Sequence, residues 1–186
     1  MGGQSIATFS IKDGVGVFNG TCAIVPSLKA PGFCSAQTKA PTFGHDAFPD
    51  ASSALAGGLV VEASSSTPEF QGFKVAFSAK DVPSSSIYTH PGSFKAGFNV
   101  TGTAPQKVFV PFSEFSWDWS PYTGRCDTKD PTGTQHHCCD GAGGKYCPTA
   151  AYLASITNLQ IWAEGAEGNF HLEVKSVKAA AAPPAE

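Results

Sequence analysis

Apolar and polar residues alternate along most of the chain, and this alternation predicts strands. Phe73, Val75 and Phe77 occupy every second position, which is typical of a half-buried strand. Ala150–Ser155 could form one helical turn. We therefore predict an all-β fold, an antiparallel β-sandwich or jelly roll. Bounded by Gly, Pro and Ser, the pattern gives nine strands: Ser5–Ile11, Gly14–Ala23, Gly32–Gln37, Gly57–Ala63, Phe70–Ser78, Phe94–Thr101, Lys107–Val110, Ile156–Ala163 and Asn169–Val177.

Two segments depart from this pattern. Residues 117–149 carry almost no strand signal, and the segment is longer than the roughly 12–15 residues usual for a loop without secondary structure. Residues 179–186 are low in complexity, and we expect them to be disordered. We therefore predict one sandwich domain over residues 1–178, with 117–149 as an inserted Cys-rich loop.

The composition excludes two classes of function. The net charge of −3 gives no basic footprint for nucleic acid. No apolar run approaches the ~18 residues that a membrane-spanning helix needs. If the chain works at a membrane, we expect it to be peripheral.

The six cysteines predict a disulfide framework and an oxidising compartment. Cys22 and Cys34 lie on consecutive predicted strands and are expected to form one disulfide, with two free thiols as the alternative. The other four are expected to form two disulfides in the inserted loop. Their pairing is either Cys126–Cys138 with Cys139–Cys147, or Cys126–Cys139 with Cys138–Cys147.

Metal binding is the alternative interpretation of this loop. His136 and His137 stand beside the cysteines, and imidazole and thiolate both suit zinc, but the spacing does not match a zinc ribbon or finger. Asp127, Asp130 and Asp140 could bind calcium, but the EF-hand spacing is absent. We predict no metal and no cofactor.

Several segments, taken in order, carry a family resemblance. They are Met1-Gly2-Gly3-Gln4-Ser5, Phe18-Asn19-Gly20 followed by Gly32-Phe33-Cys34-Ser35, Val108–Phe115 and Gly168–Val177. On these segments the chain resembles the domain of complex I intermediate-associated protein 30, a galactose-binding-like β-sandwich. The Trp-x-x-x-Asn-Asp segment that precedes the first motif in that family is absent before Met1, so we expect the natural chain to begin upstream.

The resemblance implies protein binding. Family members assist the assembly of respiratory complex I, and relatives in photosynthetic organisms are associated with chloroplasts. The family motif supplies no catalytic residues. Gly44-His45-Asp46 lacks an evident nucleophile. Glu114 and Asp118 could be imagined as a catalytic acid and base, but no sequence feature distinguishes them from ordinary solvated charges. We predict that the chain is not an enzyme.

The inserted loop is the predicted binding site. Trp117, Trp119, Tyr122 and Arg125 belong to the residue types enriched at interface hot spots, and a disulfide-stapled loop is preorganised for binding. Two alternatives remain open for the aromatic residues. Trp117 and Trp119 could simply pack beneath the loop, or the rings could stack on sugars.

Together these observations predict a non-catalytic, protein-binding sandwich. We expect an assembly factor or extrinsic subunit of a membrane electron-transport complex, either a photosystem or complex I. Disulfides favour the thylakoid lumen, with a mitochondrion or secretion as alternatives. The rival hypothesis is a carbohydrate-binding module of a secreted or surface protein. Glycosylation at the sequons of Asn19 or Asn99 would favour secretion.

Overall fold

In a computed structural model, which describes residues 3–38, 48–84, 92–141 and 143–185, the chain forms two packed antiparallel sheets. The Gly44-His45-Asp46 segment, considered above as a catalytic motif, lies outside these residues. The strands are β1 (Ile6–Lys12), β2 (Val15–Cys22), β3 (Ile24–Val25), β4 (Ala30–Pro31), β5 (Phe33–Gln37), β6 (Gly58–Ser65), β7 (Phe73–Ala79), β8 (Phe94–Gly97), β9 (Gln106–Pro111), β10 (Ile156–Glu164) and β11 (Gly168–Ala180).

The strand order confirms the predicted all-β antiparallel sandwich. One sheet has five strands in the order β1-β2-β11-β6-β9, and the other has four in the order β5-β10-β7-β8. Strands β3 and β4 form a separate small hairpin. Every described strand pair is antiparallel.

Phenylalanine rings fill the space between the two sheets. Phe170 on β11 lies 4.9 Å from Phe18 on the neighbouring strand and 6.3 Å from Phe73 of the opposite sheet, measured between ring centroids. Phe77 and Phe94 stack at 5.2 Å within the four-stranded sheet. These residues occupy alternate positions of their strands, so the period-2 pattern of the sequence marks the core.

Strand β7 is buried along its whole length, from Phe73 to Ala79. A strand with one solvated face would alternate between buried and exposed residues. The side chains of Lys74, Ala76 and Ser78 point away from the core, yet they are buried too. The outer face of the four-stranded sheet is therefore covered, and the inserted loop contributes to that cover.

Helical structure is confined to short turns in the described residues. The predicted helical turn is present as α1 (Ala150–Leu153), which begins after Thr149, whose hydroxyl accepts a hydrogen bond from the backbone N–H of Tyr152. Ser52–Ala54 and Phe112–Glu114 form 3₁₀ turns. In the described segments, no helix is long and apolar enough to cross a membrane.

Two sequence-based boundaries need correction. The hairpin β3–β4 was not predicted, because two-residue strands beside prolines have no measurable alternation. The predicted tail begins too early, since β11 continues to Ala180. Ala179 pairs with Leu59 and Ala180 with Gly58, so backbone pairing extends the strand into an alanine run that has no apolar–polar pattern.

Candidate functional site

The inserted loop closes over the outer edge of the four-stranded sheet. Strand β8 is an edge strand, and Ser116, immediately before the loop, exchanges two backbone hydrogen bonds with Lys95, at 3.0 and 3.2 Å. Trp119 follows, and its indole N–H donates to the carbonyl oxygen of Ser93 at 2.9 Å. These bonds fix the first turn of the loop against the sheet.

Two disulfides staple the loop. Cys126 pairs with Cys138 and Cys139 with Cys147, so the structure selects the first of the two predicted pairings. Each bond closes a short segment, which reduces the conformational freedom of the unfolded loop. With the four thiols in disulfides, they are not available as thiolate ligands for zinc, and the described residues contain no His, Cys, Asp and Glu group arranged to hold a metal.

A buried histidine joins the start of the loop to its middle. The Nδ1 of His136 lies 2.9 Å from Oδ1 of Asp118, and its Nε2 lies 3.0 Å from Oδ2 of Asp130. Both ring nitrogens of His136 are therefore within hydrogen-bond distance of a carboxylate. Asp118 also accepts from the backbone N–H of His137. This network holds the loop in one conformation and uses the carboxylate of Asp130, one of the three aspartates considered above for calcium.

The pKa of Asp130 reflects the same network. Burial alone raises it, but hydrogen bonds outweigh that effect and hold the pKa below its ordinary value. The donors are His136, the hydroxyl and backbone N–H of Thr132, and the backbone N–H of Thr134. The carboxylate is therefore a structural acceptor in a tight turn.

Beneath the loop, the ammonium of Lys95 lies between two indole rings. Its Nζ is 3.4 Å from the ring centroid of Trp119 and 3.6 Å from that of Trp162, and 2.5 Å from Oε1 of Glu164. Burial lowers the pKa of Lys95, while Glu164 acts to raise it. The two rings and the carboxylate together stabilise a cation that has no contact with water.

Lys74 is the second buried lysine of this region. It is only 5% exposed, and no hydrogen bond or ion pair joins its Nζ to another described residue. Burial is the main cause that lowers its pKa; Glu164 acts against this, and Arg125 adds to it. The ammonium of Lys74 is therefore close to other charges but is not bonded to any of them.

Lys74 opens onto a cleft of about 370 Å³ between the sheet and the loop, which we call the polar cleft. Its size falls in the range of ligand sites, roughly 300–1,000 Å³. Gly124 packs its backbone against the carboxylate of Glu164, in a conformation with φ of +64°. The polar side chains at the cleft belong to Gln71, Lys74, Lys95, Asn99, Glu114 and Arg125. Phe73 and Phe98 adjoin the cleft, but their rings are buried in the core.

The four predicted partner-binding residues separate into two groups. Trp119 is buried, and Trp117 is half-buried, packs on Tyr146 at 5.2 Å and donates to the carbonyl oxygen of Lys145. Both therefore pack beneath the loop. Arg125 is exposed at the polar cleft, whereas Tyr122 lines a separate apolar pocket with Pro121 and Phe33.

The predicted disulfide between Cys22 and Cys34 is not formed, and both residues are buried free thiols. The two cysteines are not hairpin neighbours, because β2 and β5 belong to different sheets and the β3–β4 hairpin lies between them in sequence. The thiol of Cys22 instead donates to the carbonyl oxygen of Ala163 at 3.1 Å. Burial, followed by the proximity of Cys34, raises the pKa of Cys22 to about 12.

Sequence reasoning missed Lys74, Lys95 and Glu164, the three charged residues at the centre of the site. Lys74 and Lys95 occupy outward positions of predicted strands, where a charge is normally solvated. Glu164 lies one residue beyond the predicted strand Ile156–Ala163. One signal was present: a long loop held by disulfides has to pack on something, and the residues beneath it lose their solvent.

Comparison with known proteins gave distant structural similarity alone. No protein-family model and no curated protein matches the chain. The solved structures that resemble it include PfGH50B (14% identity, TM-score 0.46), the agarase AgWH50C (10%, 0.49) and an exo-beta-agarase (8%, 0.48). The matches cover 94%, 95% and 98% of this chain, which spans 22% of each solved chain. At these values the similarity does not bear on function.

Proposed function

We propose that the chain is a non-catalytic carbohydrate-binding module and that the sugar occupies the polar cleft. This proposal rests on one observation: several polar side chains around the polar cleft make no hydrogen bond to the part of the protein that the structure describes. Asn99, Glu114 and Arg125 make no side-chain hydrogen bonds to other described residues, and Lys74 has none either. Such groups match the alternating donors and acceptors of a sugar ring.

The carboxylates of the cleft support binding without hydrolysis. Glycosidases place two carboxyl groups on either side of the bond that they cleave. Here Glu114 is exposed, but Glu164 is almost completely buried and bonded to Lys95. A carboxylate held in this way is neither a free nucleophile nor a proton donor, so we propose that the module binds its sugar unchanged.

Two glycine variants test the site. Gly97 lies in the polar cleft on β8 and is exposed, and Gly102 lies outside the cleft with open space beside it. We expect Gly97→Tyr to fill the cleft and abolish retention on the polysaccharide identified by a glycan array, whereas Gly102→Tyr binds like the native chain. A native chain that binds no glycan, or a Gly97→Tyr variant that binds equally well, would refute the proposal.

Protein binding is the second candidate, and a different surface favours it. Strand β1 is an edge strand that exposes Ile6 (74%), Phe9 and Ile11 (73%). Phe9 and Ile11 adjoin an apolar cleft of about 520 Å³ between the two sheets. An exposed edge with apolar side chains is suited to a partner that adds a strand.

This second candidate includes the partner complexes expected from the sequence. The two disulfides suit an oxidising compartment such as the thylakoid lumen, while a photosystem or complex I as partner remains a prediction. Co-purification with a membrane complex that is lost in Ile11→Lys but retained in Gly97→Tyr would support it. Native protein that migrates alone would count against it.

A further inference from the structure

The ammonium of Lys74 is a buried positive charge that faces the polar cleft without a partner. Its side chain is more than nine-tenths buried and lines the cleft, and none of the described residues accepts a hydrogen bond from its Nζ. Lys95, one strand away, has Glu164 as its acceptor. Nζ of Lys74 is not one of the fully buried side-chain atoms without a partner, so its remaining solvent contact is at the cleft. Because a mostly buried ammonium is poorly solvated, it is suited to a ligand that supplies the missing charge.

The other charges at the cleft leave a positive excess for the ligand. Lys74, Lys95 and Arg125 are the cations, and Glu114 and Glu164 are the anions. Glu164 is occupied by Lys95, and Glu114 is exposed to solvent. Lys74 and Arg125 therefore remain available for an incoming anionic group.

We propose that the ligand of the polar cleft is an acidic saccharide whose anionic group, a uronate carboxylate or a sulfate ester, binds the ammonium of Lys74. This inference rests on the proposed carbohydrate-binding function. An ammonium offers three donors to the oxygens of either group, and such charge-assisted bonds are stronger than those to neutral hydroxyls. Arg125 at the rim adds a second cation for the same group or for the next sugar unit.

A saccharide fits this cleft better than an acidic peptide. An extended peptide gains most of its affinity by pairing with a free strand edge. The edge of β8 is already occupied at Lys95, which exchanges both of its outward backbone hydrogen bonds with Ser116, so a peptide could not pair along the strand there. The recognition that remains is by side chains, namely Lys74, Asn99 and Arg125.

The test measures the affinity of the whole chain for matched ligands. The probes are an oligogalacturonate, a sulfated galactan oligosaccharide, a neutral galactan oligosaccharide of the same length, an oligoglutamate peptide and inorganic sulfate. Lys74→Met removes the charge and keeps most of the side-chain volume. Lys80→Met is the matched control, because Lys80 follows the same strand but is exposed.

We expect at least one acidic oligosaccharide to bind about ten- to a hundredfold more tightly than the neutral one. Lys74→Met removes this margin and leaves the weaker neutral binding unchanged, and Lys80→Met retains the margin. The stronger of the two acidic probes identifies carboxylate or sulfate as the natural group. Weak competition by inorganic sulfate is expected, because the sugar ring contributes part of the affinity.

Three outcomes would overturn the inference. If the neutral oligosaccharide binds as tightly as the acidic ones and Gly97→Tyr abolishes that binding, the proposed function stands and the inference alone fails. If the peptide binds more tightly than every sugar, the ligand class is wrong. If nothing binds, the inference fails together with the proposed function.

If Lys74→Met does not fold, two other measurements replace it: binding by Arg125→Gln and the salt dependence of binding by the native chain. We expect the affinity for acidic sugars to fall in Arg125→Gln and at high salt. An affinity that changes in neither case contradicts the inference.

Discussion

The ammonium of Lys95 on β8 lies 2.5 Å from Oε1 of Glu164 on β10, and both side chains are buried. These strands are not neighbours, since β7 runs between them. The pair therefore crosses the outer face of β7, directly below Trp119 of the inserted loop. One ion pair thus connects two strands and supports the loop that covers them.

Breaking this pair is expected to destabilise the protein strongly. Lys95→Met leaves the carboxylate of Glu164 buried without a partner, and we expect a loss of about 3–5 kcal/mol in the free energy of unfolding. The double variant Lys95→Met/Glu164→Leu is expected to be more stable than Lys95→Met alone, because no unpaired charge remains. Urea unfolding measures all three proteins.

The surface pair Lys175–Glu62 provides the control for this cycle. Its Nζ–Oε1 distance is 2.9 Å, but the side chain of Lys175 is 63% exposed. We expect Lys175→Met to cost less than about 1 kcal/mol. Equal losses for Lys95→Met and Lys175→Met would show that the buried pair contributes no more than a solvated one.

Gly124→Ala is expected to loosen the loop. Gly124 has a φ of +64°, which disfavours any side chain, and an added Cβ would meet the carboxylate of Glu164. We expect a loss of more than about 1 kcal/mol in the free energy of unfolding and faster proteolysis within the loop. Gly102→Ala is the control, because nothing lies within 4 Å of an added Cβ there. Similar stability of the two variants would contradict the packing described.

Native protein is expected to contain two protected thiols. Six cysteines less the four in disulfides leaves Cys22 and Cys34, both buried. A thiol reagent should therefore react slowly with native protein and titrate two groups after unfolding without reductant. No reactive thiol after unfolding would show that a third disulfide forms in solution.

These thiols also make stability depend on alkaline pH. The pKa of Cys22 rises from 9.0 to about 12 on folding, so the unfolded chain loses this proton first. Stability from this group is complete below pH 9 and is lost as the pH rises towards 12. The pKa of Cys34 is also raised, which adds a loss of the same sign. Cys22→Ser/Cys34→Ser should show a shallower alkaline decline by urea unfolding across this range, and an unchanged decline would assign it to other groups.

Acid is expected to weaken the loop through Asp130. Its pKa is lower in the folded chain than its ordinary value of 3.8, so the unfolded chain takes up the proton first. The stability from Asp130 is present above that value and is lost as the pH falls through the folded pKa. Asp130→Asn should be less stable near neutral pH and lose less stability on acidification. Equal acid slopes for the variant and the native chain would contradict this role.

The strands were predictable because their signal is local. Phe73, Val75 and Phe77 show which face of β7 enters the core without reference to any other strand. The failure of Cys22 to form a disulfide with Cys34 was not predictable, because it depends on which sheet each strand joins. Consecutive strands usually pair, but β2 joins β11 whereas β5 joins β10.

The candidate site was predictable only in part, for a similar reason. The inserted loop and Arg125 could be found from composition and length. The importance of Lys74 could not, because its burial depends on a loop that departs from the sheet about forty residues later. A lysine in an alternating strand looks solvated until the segment that covers it is known.

The position of the tryptophans gives the molecule its own optical reporter. The chain has three tryptophans, and all belong to the inserted loop or to the sheet face that it covers: Trp117, Trp119 and Trp162. The indoles of Trp119 and Trp162 meet edge to face at 6.0 Å, with the charge of Lys95 against both rings. Tryptophan fluorescence therefore reports how closely the loop packs on the sheet. The same signal allows ligand entry into the adjoining polar cleft to be followed in real time without a label.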